Sequence, residues 1–183
     1  VTTRSQFLTI VAGVLSLGAK RRGRDDGWHH VHGANGLTLS TSVPLDLTFV
    51  TVDGGSFRLA DHREKLVVVN LFASWCGPCN AEAPDVTAFA AAHADDTIVV
   101  SVDVGEPAAA AREFRSRYGI DYPVAADESS SVYKAIGMTA YPTTLFVRPD
   151  GLLACAFIGQ LSRDDLETER TYALGLPEKT DSR

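Results

Sequence analysis

The chain has 183 residues, 17 Lys and Arg against 23 Asp and Glu, and 45% hydrophobic side chains, an ordinary globular composition. Residues 1–40 hold 5 basic and 2 acidic groups and residues 41–183 hold 12 and 21, so the bulk of the chain carries −9 and should repel nucleic acid. Three cysteines are too few for a disulfide scaffold, and a chain of this length buries a core without one.

In chain order, residues 7–19 form a 13-residue apolar run behind Arg4, the length of a signal-peptide core and short of the about 20 residues of a membrane span. Residues 1–19 are expected to be an export signal or a marginal anchor, although Lys20, Arg21, Arg22 and Arg24 lie on the far flank of the run, against the usual polarity. The alternative is a mis-assigned start and a cytoplasmic protein. Residues 20–43 are polar and Gly-rich without a hydrophobic period and read as a linker. His29, His30 and His32 fall in it with no cysteine or carboxylate at ligand spacing, so no metal site is assigned. The folded domain is expected over 44–176, followed by a frayed polar tail at 177–183.

Within the domain, residues 47–52, the turn Asp53-Gly54-Gly55 and residues 57–59 read as a hairpin. Residues 66–72 (LVVVNLF) are almost all apolar and β-branched, as a strand buried on both faces should be. An Ala-rich helix over 79–93 is predicted to continue through Pro84, since Val86, Phe89 and Ala90 extend its apolar face. A second buried strand at 97–102 and a helix at 107–118 follow. This order implies parallel strands joined by a right-handed crossover. After a short extended piece at 122–125, a short helix over 129–136 stops at Gly137. Strands at 143–147 and 152–158 flank the turn Arg148-Pro149-Asp150-Gly151 as an antiparallel hairpin, and Ser162 caps a closing helix at 164–174.

The chemistry lies at Trp75-Cys76-Gly77-Pro78-Cys79, directly after a buried strand and opening a helix, the setting in which a C-x-x-C pair is redox-active. A zinc site would need two more ligands, and Cys155 sits far away in an apolar strand with no flanking histidine. Free N–H groups and the helix dipole at the helix start favour the thiolate, so Cys76 is expected to be the nucleophile. Cys79, one turn further in, is the shielded resolving sulfur that displaces the released partner and closes a Cys76–Cys79 bond. Pro78 stiffens the first turn, Gly77 leaves room for a partner to approach, and Trp75 covers the sulfur and offers a docking surface. In Tyr141-Pro142-Thr143, a proline at a strand entry reads as cis-Pro142, the alternative being a plain edge-strand proline. Ala140 and Tyr141, behind Thr139, would line a substrate groove.

WCGPC with the preceding VVVNLFAS, the SVD and YGIDYPV stretches and AYPTTLFVRPDG resembles the thioredoxin superfamily over about residues 43–173, and specifically its TlpA/ResA-like thiol-disulfide oxidoreductases with a redoxin/AhpC-TSA-like domain. The pattern W-C-x-x-C-x-x-E-x-P, with Glu82 and Pro84, marks that branch. So do Asn80 where ordinary thioredoxins have Lys, Asn70 where they have Asp, and the insertion at 104–128. The resemblance implies an α/β thioredoxin-like three-layer fold: a mixed central sheet, helices on both faces and an N-terminal β-hairpin extension. It further implies a cofactor-free, monomeric reductant of protein disulfides in the cell envelope, with apocytochrome c as a client and a membrane thiol carrier or thioredoxin as electron donor. Glu82 would be the acid/base group near the sulfurs, the alternative being a surface helix Glu.

Two other functions compete with this one. A peroxiredoxin-like peroxidase needs Thr three residues before its reactive Cys, where this chain has Ala73. A redox-inactive client-binding module has no need of both Cys76 and Cys79. Cys155, in an apolar strand, is expected to be a buried inert thiol.

Overall fold

The computed structural model describes residues 30–33, 47–138 and 140–175. The expected signal or anchor at 1–19 and the tail at 177–183 lie outside those residues, as does Thr139. The strands are His30–Gly33 (β1), Thr48–Val50 (β2), Ser56–Arg58 (β3), Leu66–Phe72 (β4), Thr97–Val104 (β5), Val124–Asp127 (β6), Thr143–Val147 (β7) and Leu153–Ile158 (β8). The helices are Gly77–Ala92 (α1), Ala108–Arg117 (α2), Ser131–Ala135 (α3) and Arg163–Ala173 (α4). The main sheet runs β1-β8-β7-β4-β5-β6, and β2 pairs with β3 as a separate antiparallel hairpin.

β4, the all-apolar run, is buried at every position and sits between parallel β5 and antiparallel β7. Alternate residues serve two cores. Val67, Val69 and Leu71 pack with Phe49 and Phe57 of the hairpin and with Val132 and Ile136 around α3. Leu66 and Val68 meet Val86 and Phe89 of α1 and Leu166 of α4, while Phe72 stacks on Phe114 of α2 with ring centres 4.2 Å apart. Because β4-α1-β5 and β5-α2-β6 step the same way across a parallel sheet, both helices belong on one face, and α4 joins them. The hairpin and α3 cover the other. The mixed sheet with helices on both faces and the N-terminal hairpin is thus the architecture expected.

Local chemistry accounts for the element ends. Pro84 lies inside α1, which runs through it to Ala92. Ser162 caps α4 in a capping box with Asp165. Asp127 accepts the backbone N–H groups of Ser131 (2.9 Å) and Val132 (2.8 Å), anchoring α3, and Gly137 (φ 66°) stops it.

Two segments differ from the sequence reading. The piece at 122–125 becomes β6, in register with Ser101 to Val104 of β5 and tied to the hairpin through Val52 N–H to the Val124 carbonyl, 2.8 Å. The expected linker at 20–43 supplies β1, parallel to β8 with His30 opposite Cys155. Its polar composition hid it, because pairing to an open sheet edge uses backbone N–H and C=O and requires no apolar pattern.

Candidate active site

Strand β4, central in the sheet, delivers the chain to its carboxyl-terminal end, and the turn Ala73 to Cys76 reverses it into α1. Cys76 is the helix N-cap: its Sγ accepts the backbone N–H of Cys79 at 3.2 Å, the geometry that favours a sulfur anion at a helix start. Cys76 and Cys79 are joined in a disulfide, with Cα atoms 5.2 Å apart. Both sulfur residues are enclosed, Cys76 at 5% exposure and Cys79 at 1%, so Cys76 is the more reachable of the two. Gly77 and Pro78 are exposed, and a Cβ added at Gly77 would meet nothing within 4 Å, which leaves the approach to Cys76 open.

Trp75 is 70% exposed, too open for a packing residue, and its ring meets Tyr141 edge-on with centres 5.8 Å apart. Tyr141 in turn lies 5.3 Å from the Tyr133 ring. The Tyr141–Pro142 peptide bond is cis, Pro142 is buried, and Ala140 is half-buried with its carbonyl accepting the Thr143 hydroxyl at 2.9 Å. The structure therefore brings Trp75, Cys76, Tyr141 and Pro142 to one place from two parts of the chain.

Glu82 lies one turn beyond Cys79 on the buried side of α1, at 1% exposure, and is not a surface helix residue. One carboxyl oxygen accepts Asn70 Nδ2 at 2.8 Å and the other the Leu161 backbone N–H at 2.9 Å. Asn70 also donates to Thr144 Oγ1 (3.1 Å) and accepts from Ser101 Oγ (3.3 Å). Burial drives the Glu82 carboxyl up to about 7, against the pull of those two N–H donors, with Asp85 adding to the rise. A carboxyl poised there can exchange a proton at neutral pH.

Sequence reasoning missed the residues that hold the turn. Asn80 Nδ2 donates to the carbonyls of Ser74 (2.9 Å) and Cys76 (2.7 Å), and its Oδ1 accepts the Tyr118 hydroxyl at 2.7 Å. From the other side, Glu106 accepts the Ser74 N–H (2.6 Å) and Ser74 Oγ–H (2.8 Å). Asn80 carried a signal, since Asn four residues past Cys76 reaches back over one helical turn. Glu106 carried none, 32 residues away from Ser74. Cys155 is fully buried, and burial together with Glu169 pushes its thiol far up, as an inert sulfur requires.

A redox-active cysteine pair capping a helix behind a parallel strand, facing a cis-proline, defines a thiol-disulfide oxidoreductase of thioredoxin-like fold, an enzyme whose substrates are disulfide-bearing proteins. The Redoxin family model matches residues 38–173, and the chain belongs to that family. It is 30% identical over 139 residues to the thiol-disulfide oxidoreductase ResA of Geobacillus kaustophilus, covering 73% of this chain and 80% of that protein. Among solved structures, DsbF of Mycobacterium tuberculosis, seen in mixed oxidized and reduced forms, superposes with a TM-score of 0.66 and 31% identity over 72% of this chain and 99% of that one. A secreted M. tuberculosis disulfide oxidoreductase homologous to Escherichia coli DsbE gives 0.64 and 25%, covering 69% of this chain and 96% of that one. No helix among the described residues is long and apolar enough to cross a membrane.

Proposed function

We propose that the protein reduces client disulfides through Cys76 and Cys79, with Glu82 moving the proton of the second step. The Cys76 thiolate attacks a client disulfide, forming a mixed disulfide and releasing one client sulfur as thiolate. Cys79 then attacks Cys76 Sγ, which releases the second client thiolate and closes the Cys76–Cys79 bond. Two electrons pass to the client, and the Cys79 proton goes to Glu82. The client lies against Trp75, Gly77 and Pro78 on one side and Ala140, Tyr141 and Pro142 on the other. A membrane thiol carrier or thioredoxin returns the pair to the dithiol.

The observation that carries this reading is Glu82, buried one turn behind Cys79 with its carboxyl raised to about 7. The place of action is outside the cytoplasm, supported by the apolar run at 7–19 and by the secreted M. tuberculosis relative. The client class is a protein with paired cysteines awaiting reduction, such as a cytochrome c before haem attachment. The protein works as a monomer and without a cofactor.

The test is the equilibrium potential of the Cys76/Cys79 couple, by thiol trapping and mass spectrometry in defined redox buffers. A value at or below about −230 mV is expected of a reductant, and one near −120 mV would reverse the direction of electron flow and overturn the proposal.

A further inference from the structure

Asp103 is the last residue but one of β5, and its register partner on β4 is Phe72. Register partners project to the same side of a sheet. Phe72 packs with Ala73, Cys76, Cys79 and Ala83, so Asp103 stands on the sulfur-bearing face. It is wholly buried, and neither of its carboxyl oxygens receives a hydrogen bond from an N–H or O–H among the described residues. What faces it is a second carboxyl, Glu106, whose two oxygens are already held by Ser74 N–H and Ser74 Oγ–H.

Among the described residues the surroundings supply no countercharge. On β6 the neighbour of Asp103 is Ala126. The three arginines of α2 point elsewhere: Arg112 to the Val52 carbonyl (3.5 Å), Arg115 to the Ile120 carbonyl (3.2 Å) and to Asp53 (3.7 Å), and Arg117 to Glu113 (2.8 Å) and Asn80 Oδ1 (3.4 Å). From the loop before β7, Tyr141 donates its hydroxyl to the Val104 carbonyl at 3.4 Å, and burial, the neighbouring Tyr133 and the carboxyls of Asp103, Asp127 and Glu106 all hold that phenol in its neutral form. From α1 the titratable groups on this face are the sulfurs of Cys76 and Cys79 and the carboxyl of Glu82, which is held by Asn70 and the Leu161 N–H. An ionised carboxylate cannot rest in such a place without donors, whereas two facing carboxyls that share one proton satisfy each other.

We propose that Asp103 is held as a neutral carboxylic acid that donates its O–H to Glu106, and that this one-proton pair positions the Ser74–Trp75 turn and sets the charge in which Cys76 ionises. Glu106 then accepts three donors: Ser74 N–H, Ser74 Oγ–H and Asp103 O–H. Removing the shared proton places a second negative charge on the sulfur face. Repulsion loosens Glu106 from Ser74, and the added charge opposes the Cys76 thiolate. Burial and Glu106 raise Asp103 to about 8, so this change falls just above neutrality, beyond the titration of Glu82. The inference rests on Cys76 being the attacking sulfur; the protonation of Asp103 itself does not.

The test begins with carboxyl-carbon NMR of the reduced full chain labelled at aspartate, with the Asp103 resonance identified by its loss in Asp103→Asn. It is expected to titrate above pH 7 and to move down by on the order of one pH unit in Glu106→Gln, where the like charge is gone. Titration of Asp103 in the ordinary carboxylate range, or no response to Glu106→Gln, overturns the proposal. The second readout is alkylation of Cys76 by iodoacetamide, taken as the ratio of the rate at pH 9 to that at pH 7. In Asp103→Asn, which keeps an N–H donor toward Glu106 but does not titrate, the ratio should rise on the order of threefold over the parent chain. An unchanged ratio overturns the link to Cys76, and preferential alkylation of Cys79 overturns instead the assignment of the nucleophile.

Discussion

Glu82 of α1 and Asp103 of β5 both lie buried on the helix-covered side of the sheet, and the protein treats them differently. Glu82 is met by two N–H donors, from Asn70 and from Leu161, which offset part of the cost of its charge. Asp103 is met by none among the described residues and faces another carboxyl. Burial alone therefore does not set the behaviour of an acid. With donors, the carboxyl can gain and lose a proton around pH 7; without them, it stays protonated and becomes a donor itself.

The largest expected effect follows from the donors. Glu82→Ala removes the acceptor of one Asn70 amide N–H and of the Leu161 N–H and opens a cavity, costing about 2–4 kcal/mol in a denaturant titration. Glu82→Gln keeps an oxygen for one of them and should retain most of the stability while flattening the pH dependence of client reduction. Asp103→Asn strands no donor, so its loss should be well under that of Glu82→Ala at pH 7. Equal losses at the two sites would erase the distinction between them.

The next effect is the pH dependence of stability. Both acids have folded values above their unfolded ones, Glu82 at about 7 from 4.5 and Asp103 at about 8 from 3.8. In this window the folded chain holds protons that the unfolded chain has released, so stability is highest near pH 4 and falls as pH rises through about 8. The slope is at most about 1.4 kcal/mol per pH unit for each group. Thermal midpoints across pH 4 to 9 should show the fall end earlier when only Glu82 titrates, in Asp103→Asn. In Glu82→Gln it should persist to the higher pH. Identical curves for the two variants would mean that the two acids do not titrate as separate groups with separate windows.

A smaller effect concerns the turn itself. Ser74→Ala removes one of the donors to Glu106 and keeps the backbone N–H, a loss of about 1 kcal/mol by calorimetry. The pH dependence contributed by Glu82 should be untouched.

The sequence showed one of these acids more readily than the other. Glu82 stands three residues past Cys79 in the W-C-x-x-C-x-x-E-x-P pattern, so the resemblance named it, while the helix pattern left a surface position open as the alternative. Strand β4 was legible from its unbroken β-branched run, and the hairpin of β7 and β8 from Arg148 to Gly151, where Gly151 takes φ 82°. Asp103 was not, because the buried strand read at 97–102 stops one residue before it, and nothing in the pattern says that the side of β5 bearing Ser101 and Asp103 is covered over its whole length. Helices α1 and α2 cover that side, a fact of crossover handedness and not of local pattern. The clamps on the turn, Asn80 from α1 and Glu106 from beyond β5, depend on the same packing.

A third acid on the helix-covered face gives the smallest effect and the cleanest control. Cys155 of β8 is packed with Leu66, Val68 and Phe146, and Glu169 of α4 faces its thiol and helps keep it protonated. Here the acid stands beside a sulfur that has no helix N-terminus to stabilise a thiolate, in contrast to Cys76. Iodoacetamide should modify Cys76 in the native dithiol form and leave Cys155 unmodified at pH 8, with full labelling only after denaturation. Cys155→Ala should lose about 1 kcal/mol of stability for its small cavity and leave the Cys76/Cys79 potential unchanged. A shifted potential would mean that charge on the helix-covered face reaches the active pair through the sheet, and the separate treatment of Glu82 and Asp103 would then have to give way to a single coupled set of carboxyls.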